Sequence, residues 1–202
     1  MILYLFISCQ KLLDNNYNRI QNMMKKFDYN KYVIITGGHN NNEYDEKNKR
    51  IKLNCSDTYE GLPEKMIKIY KYILNNEKFN DITYICKLDE DMIIKKILDT
   101  KILQDYYGKV CYGNGNRKWH IGKCSTTSKF NKTEYKGKYV HWCLGGYGYI
   151  LSTKILKFIE NDTDYENEIY EDLYIAKILN KNKIYPKDFK NIKTYFISPE
   201  HN

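Results

Sequence analysis

The chain has 202 residues, 42% hydrophobic and 29% charged, with a formal net charge of +8. That length suits one domain with a real core and is short for two, and no run approaches the roughly 18 uninterrupted apolar residues of a membrane span. The composition also argues against base-reading of nucleic acid. Thirty of the 33 basic residues are lysine, and only Arg19, Arg50 and Arg117 carry the guanidinium fork that recognises guanine edges.

The opening "MILYLFISC" has no basic leader and no small-residue cleavage site, so it reads as a first strand and not as a signal peptide. A cytoplasmic location is expected on that basis. The stretch "NYNRIQNMMKKF" carries Ile20, Met23, Met24 and Phe27 at helical spacing, with residues 14–16 as caps. "KYVIITGG" predicts a strand, "HNNNEYDEKNKR" a surface loop and "RIKLNC" a short strand. A helix follows in "SDTYEGLPEKMIKIYKYILNN", with Leu62, Met66, Ile69, Tyr70, Ile73 and Leu74 on one face and Pro63 in its first turn.

"TYICKLD" begins as a strand and runs into three adjacent acids. A helix is predicted through "IIKKILDTKILQDYY", then a strand at "KVCYG" and a long polar loop, functional or mobile, over 114–138. "YVHWCLGGYGYILS" returns to strand character, "TKILKFIEN" and "YEDLYIAKILNKN" predict helices, and "KTYFISPEHN" a closing strand and tail. The lysines are scattered without a condensed basic stripe. Six cysteines, none in a C-x-x-C pair, are expected as free thiols in a reducing compartment. Alternating strands and helices predict one α/β domain over 1–202 with a mostly parallel central sheet. Ligands of such sheets bind outside the carboxyl ends of the strands, where the acids fall.

On a continuing strand Asp89 and Asp91 share a face while Glu90 points away. Two converging carboxylates can hold a hard divalent cation that in turn binds a diphosphate; a solvated acidic turn is the alternative. Gly145, Gly146 and Gly148 fit a backbone that bends or that a ligand approaches closely, or a bulge serving the fold alone. The flanking Trp142, Tyr147 and Tyr149 suit either a core or a surface on which a sugar ring stacks. Glu171 and Asp172, at a helix start, are favoured by the helix dipole or act as a general base aimed into the crevice.

Taken in order, "DTYEGLPEK", "CKLDED", "YVHWCLGGYGYILS" and "YEDLYIAKIL" resemble glycosyltransferase family 31, the family of Fringe-like and β-1,3-galactosyl- and N-acetylglucosaminyltransferases. Asp57, Tyr59, Leu62 and Lys65 match its D-x-Y-x-x-L-x-x-K element, and Lys87, Asp89, Glu90 and Asp91 its K-x-D-D-D strand end. Tyr139, Trp142, Gly146, Gly148, Tyr149 and Ser152 match its aromatic-glycine block, and Glu171 and Asp172 its E-D-V element, with Leu173 for Val. The likeness covers 57–202 well and the first fifty residues poorly.

The resemblance implies a Rossmann-like domain of GT-A type and an inverting transfer from a UDP-sugar to a glycan or glycoprotein hydroxyl, giving a β-1,3-type linkage. It makes Asp172 the base, supported by Glu171, and Asp91 a metal ligand. Asp89 would share the metal site or contact the donor. Asp57, Lys65, Glu90, Gly145 and Gly146 would lie on the donor side, with Trp142 and Tyr147 against sugar or acceptor. His201, beyond the last strand, would complete the site, and its imidazole would favour Mn²⁺ over Mg²⁺. Three rivals stand beside this reading. A metal-dependent nuclease or phosphotransferase leaves the glycine-aromatic block without a purpose, an inactive nucleotide-sugar-binding relative would bind without transfer, and a basic nucleic-acid-binding protein would show strongly salt-dependent affinity.

Overall fold

The apolar opening run forms β1 (Ile2–Ile7), buried along its whole length, in the computed structural model, which describes residues 1–198. It leads into α1 (Gln10–Lys26), β2 (Tyr32–Thr36), β3 (Glu43–Asp45), β4 (Arg50–Lys52) and α2 (Leu62–Leu74). Then come β5 (Tyr84–Asp89), β6 (Ile93–Ile94), β7 (Tyr106–Gly108), β8 (Val110–Cys111), β9 (Trp142–Cys143) and β10 (Tyr149–Ser152). The chain closes with α3 (Thr153–Leu156), α4 (Glu171–Lys181), β11 (Lys187–Asp188) and β12 (Phe196–Ile197).

Eight strands make one sheet in the order β11-β7-β10-β5-β1-β2-β4-β3. Its middle, β5-β1-β2-β4, is parallel, while β10 and β3 run antiparallel to their neighbours. The predicted α/β plan therefore holds with a parallel centre inside a mixed sheet. Both faces are covered, which is why β1 and β2 read as unbroken apolar runs. Leu13, Ile20, Met23 and Met24 of α1 pack with Tyr4, Phe6 and Ile34 on one face. On the other, α2 and α4 pack with Leu3, Leu5, Val33, Ile35 and Ile85. Among the described residues no helix is long and apolar enough to cross a membrane, and all six cysteines are free thiols.

Three local predictions change. Residues 14–16 do not cap α1, which starts at Gln10 after Cys9. The cap comes from 47 residues away, where Asp57 Oδ2 accepts the Gln10 N–H at 2.7 Å, so local spacing could not reveal it. The helix expected after β5 is absent. Instead β6 pairs with β12, Asp99 accepts the Lys101 N–H of a 3₁₀ turn, and the Leu98 N–H donates to the Tyr4 hydroxyl at 2.9 Å. Tertiary partners there outweigh a helix-like spacing of isoleucines. Within the predicted loop at 39–50, β3 forms a short charged edge strand, a form that discourages further pairing.

After β1 the chain turns to β2 on one side, while β5 lies on the other side of β1. The carboxyl ends of β1 and β5 thus flank a topological switch point, with Ile7 opposite Asp89 in register. That is where an open α/β sheet offers a ligand crevice.

Candidate active site

Side chains alternate along β5, so Ile85, Lys87 and Asp89 face α2 and α4 while Cys86 and Leu88 face α1. Lys87 is only 3% exposed, and its ammonium sits 2.6 Å from Asp89 Oδ1 and 2.8 Å from Glu171 Oε1. Glu171 opens α4; its Oε2 accepts from the Tyr149 hydroxyl at 3.0 Å. One lysine therefore joins the acidic strand end to the Glu-Asp pair, segments more than 80 residues apart. Burial pushes the Glu171 carboxyl from its ordinary 4.5 to about 7, although Lys87 pulls it down. Burial also opposes the Lys87 charge, but Asp89 and Glu171 outweigh it and hold that pKa above the ordinary 10.5.

Asp172 is held by backbone. Its Oδ2 accepts the Gly145 N–H at 2.8 Å and its Oδ1 the Leu173 N–H at 2.8 Å. Burial raises its pKa against these two hydrogen bonds. The glycine block now has a local reason. A Cβ on Gly145 would stand 2.8 Å from Glu171 Oε1 and 3.3 Å from Asp172 Cβ, so a side chain there would push the Glu171 carboxylate from its place beside Lys87. Gly148 turns the chain into β10 with φ +75, and a Cβ there would come within 2.6 Å of Leu88 Cδ2.

The acidic turn departs from the predicted alternation. β5 ends at Asp89, and the Met92 N–H donates to the Asp89 carbonyl at 3.1 Å, so Asp91 lies on a turn and shares no strand face with Asp89. The same-face partner of Asp89 is Lys87. Asp89, Glu90 and Asp91 nevertheless all line one cleft. Burial, reinforced by Asp89 and Asp91, pushes the Glu90 carboxyl up to about 7. From α1, Arg19 donates to the Glu90 carbonyl and, at 3.2 Å, to the Met92 carbonyl, clamping the turn through its backbone. Among the described residues no three His, Cys, Asp or Glu side chains are arranged to hold a metal by themselves. His201, expected to complete such a site, lies outside the described residues.

Asp57 and Lys65 form a second wall. Lys65, 1% exposed, places its ammonium 2.7 Å from Asp57 Oδ1 and 2.9 Å from the Ser8 carbonyl. Asp57 also accepts the Gly37 N–H at 2.7 Å besides that of Gln10. Both residues line the cleft, but these polar atoms fasten the ends of β1 and β2 to the start of α1. Asp57→Ala is expected to cost about 3–5 kcal/mol, since it strands a buried ammonium. Lys65→Met should cost less, because Asp57 keeps two amide donors and some solvent. Urea melts of the two variants test this ranking, and a reversed order would show that Asp57 is not the joint.

The cleft holds about 770 Å³ and is closed on its far side by the 114–138 loop, through Gly115, Asn116, Trp119 and Lys123. That loop is tied down. Ser125 donates to Glu60, and the Tyr135 hydroxyl donates to Glu168 at 2.7 Å. Buried His120 donates from Nε2 to the Thr133 carbonyl at 3.0 Å, with Nδ1 2.8 Å from the Tyr170 hydroxyl. Gly146 and Tyr147 line the cleft as well. Trp142 borders it but is only 5% exposed and packs on Tyr139, which leaves little of its ring for a sugar. Lys87, Arg19 and Trp119 had no individual role in the sequence reading. For Lys87 a signal was present: a charge amid the apolar run "YICKLD" needs a buried partner.

The profile of one known family, Galactosyltransferase, matches residues 39–190. No curated protein matches the chain. The matched segment includes Asp57, the acidic turn, the glycine block and the Glu-Asp pair, so elements that share no strand or helix, yet meet in this cleft, fall within a single family pattern. The chain belongs to the galactosyltransferase family and is a glycosyltransferase resembling family 31.

Proposed function

We propose that the chain is a metal-dependent, inverting glycosyltransferase of GT-A type that moves a sugar from a UDP-sugar to an acceptor hydroxyl, forming a β-1,3-type linkage. The observation that carries this reading is the meeting of the acidic turn and the Glu171–Asp172 pair in one cleft at the carboxyl ends of β1 and β5, bridged by Lys87. The linkage rests on the family likeness alone.

The acids of the turn are hard oxygen donors suited to Mn²⁺ or Mg²⁺. They are too few for a closed cage among the described residues, which fits a cation that keeps several positions for water and ligand oxygens. Asp91 and Asp89 would hold it, with His201 as a further candidate ligand. When bound, such a cation supplies positive charge against a departing diphosphate.

The chain's own groups do the rest. The amides of Gly145 and Leu173 fix the Asp172 carboxylate, which takes the proton from the acceptor hydroxyl. The acceptor oxygen bonds to the anomeric carbon as the bond to the diphosphate oxygen breaks on the opposite face, through an oxocarbenium-like transition state. Glu171, engaged by Lys87 and Tyr149, positions the start of α4. Glu90, Gly145 and Gly146 border the space for the donor, and Asp57 and Lys65 hold its wall.

A panel of nucleotide sugars, each with and without Mn²⁺, tests the reading through Tm. A ligand at about 100 times its Kd stabilises the native state by ~2.7 kcal/mol. A UDP-sugar should give the largest rise, dependent on Mn²⁺, and Asp91→Asn should remove that dependence. If no nucleotide sugar moves Tm in the presence of manganese, the proposal fails.

A further inference from the structure

The cleft has walls of opposite character. Its floor is acidic, whereas the loop closing it is basic: residues 114–138 carry seven basic side chains against one acidic, a net +6 within the chain's +8. The lysines themselves are spread along the chain, with six of the 30 on this loop, but the loop's shortage of acids concentrates the net charge there. Its single acid, Glu134, is occupied by Lys118 at 2.9 Å. Arg117 is occupied too, donating to the Tyr135 and Gly137 carbonyls.

On this loop Trp119 lines the cleft and is 50% exposed, whereas Trp142 nearby is buried. The Lys123 ammonium lies 3.5 Å from the centre of the Trp119 ring and 5.9 Å from that of Tyr59. A large indole left half in water is not explained by the core, because the turn bearing it is already secured. The Trp119 N–H bonds to the Asn116 carbonyl at 3.3 Å, and the Tyr170 hydroxyl donates to that same residue's carbonyl at 2.9 Å. The next residue, His120, is fully buried and reaches the Tyr170 hydroxyl. Tyr170 directly precedes Glu171 and Asp172, so the turn bearing the indole is tied to the start of α4 beside the proposed base.

We propose that Trp119 and Lys123 form the acceptor subsite, and that the acceptor is an anionic saccharide. A pyranose ring stacks on the indole, and a carboxylate or sulfate on that sugar or its neighbour meets the Lys123 ammonium. Exposed Lys129, Lys132, Lys136 and Lys138 add a positive field that draws such a ligand in. Only Lys123 among the loop's cations lines the cleft, which suits one local anionic group better than the phosphate track of a polynucleotide. The assignment rests on the transferase reading but names a ligand that binds without the donor.

Tryptophan fluorescence tests it directly, since Trp119 is the exposed one of the chain's two tryptophans. The intact protein is titrated with a uronate-terminated oligosaccharide, a sulfated one, and the neutral hexose counterpart of each. A saturable change is expected with the anionic ligands and at least a fivefold weaker one with the neutral pair. Trp119→Phe should abolish the signal, and by calorimetry Trp119→Ala should weaken binding about tenfold, as loss of an aromatic contact does. Lys123→Gln should cost about fivefold for the anionic ligands, in line with a half-exposed charge pair, and nothing for the neutral ones. The arm that binds more tightly separates carboxylate from sulfate. Equal affinity for anionic and neutral ligands, or no binding of either, overturns the proposal. So does tighter, steeply salt-dependent binding of a single-stranded oligonucleotide. If saccharide binds while every nucleotide sugar fails, the transferase reading falls and the subsite stands.

Discussion

Replacing Asp172 with Asn is expected to lower sugar transfer by about 10²–10⁴-fold, the usual contribution of a positioned general base, while UDP-sugar affinity changes little. The substitution keeps the shape and one oxygen able to accept an amide hydrogen bond, so the start of α4 should stay in place. It removes the capacity to take a proton, together with the charge and one of the two amide hydrogen bonds. The pH profile supplies a second signature. Burial holds the Asp172 pKa above its ordinary 3.8, so below that raised value the side chain is protonated and cannot act as a base. The rate should climb with pH through an acid limb displaced upward from the ordinary carboxylate range, then level off. Steady-state kinetics of wild type, Asp172→Asn and Glu171→Gln check this: the limb should persist in Glu171→Gln and vanish in the residual activity of Asp172→Asn. Full activity of Asp172→Asn would remove the assignment.

Lys87→Met should be strongly destabilising, at about 3–5 kcal/mol, since it deletes the ammonium that Asp89 and Glu171 share. The penalty should grow with pH. Glu171 has a native pKa raised to about 7 against an ordinary 4.5, so its contribution to stability is present below the lower value and is lost as pH rises through the higher one. Without Lys87 the native pKa moves higher still, and the loss continues into the alkaline range at up to ~1.4 kcal/mol per pH unit. Denaturant melts of both proteins at pH 6, 7 and 8 would show the curves diverging above neutrality. Parallel curves would mean that Lys87 does not compensate Glu171.

The two predictions concern different kinds of residue. Asp172 stands at the cleft with its oxygens aimed by backbone amides, and its loss should leave the fold intact. Lys87 is enclosed, and it sets the spacing between the acidic turn and α4. A change at Lys87 should therefore lower activity and stability together, whereas Asp172→Asn should separate them.

Much of this protein could be read without coordinates, because its information was local. The runs "LYLFI" and "YVIIT" are apolar on both faces, so they had to be buried strands. Pro63 and the spacing from Met66 to Ile73 define α2, and the order of the acidic turn, glycine block and Glu-Asp pair carries the family. Other features depended on contacts between distant segments. α1 begins where Asp57 accepts its first amide, and "IIKKILD" forms no helix because β12 and Tyr4 hold its backbone. Gly145 leaves room for the Glu171 carboxylate, 26 residues away. Asp91 leaves the face of Asp89 because the strand closes into a turn one residue past the ladder. Lys87 could be flagged as a buried charge, but its two partners, Asp89 and Glu171, lie 82 residues apart. Short-range spacing reflects the periodicity of a helix or strand, whereas a buried charge or a missing Cβ is set by whatever the fold packs against it.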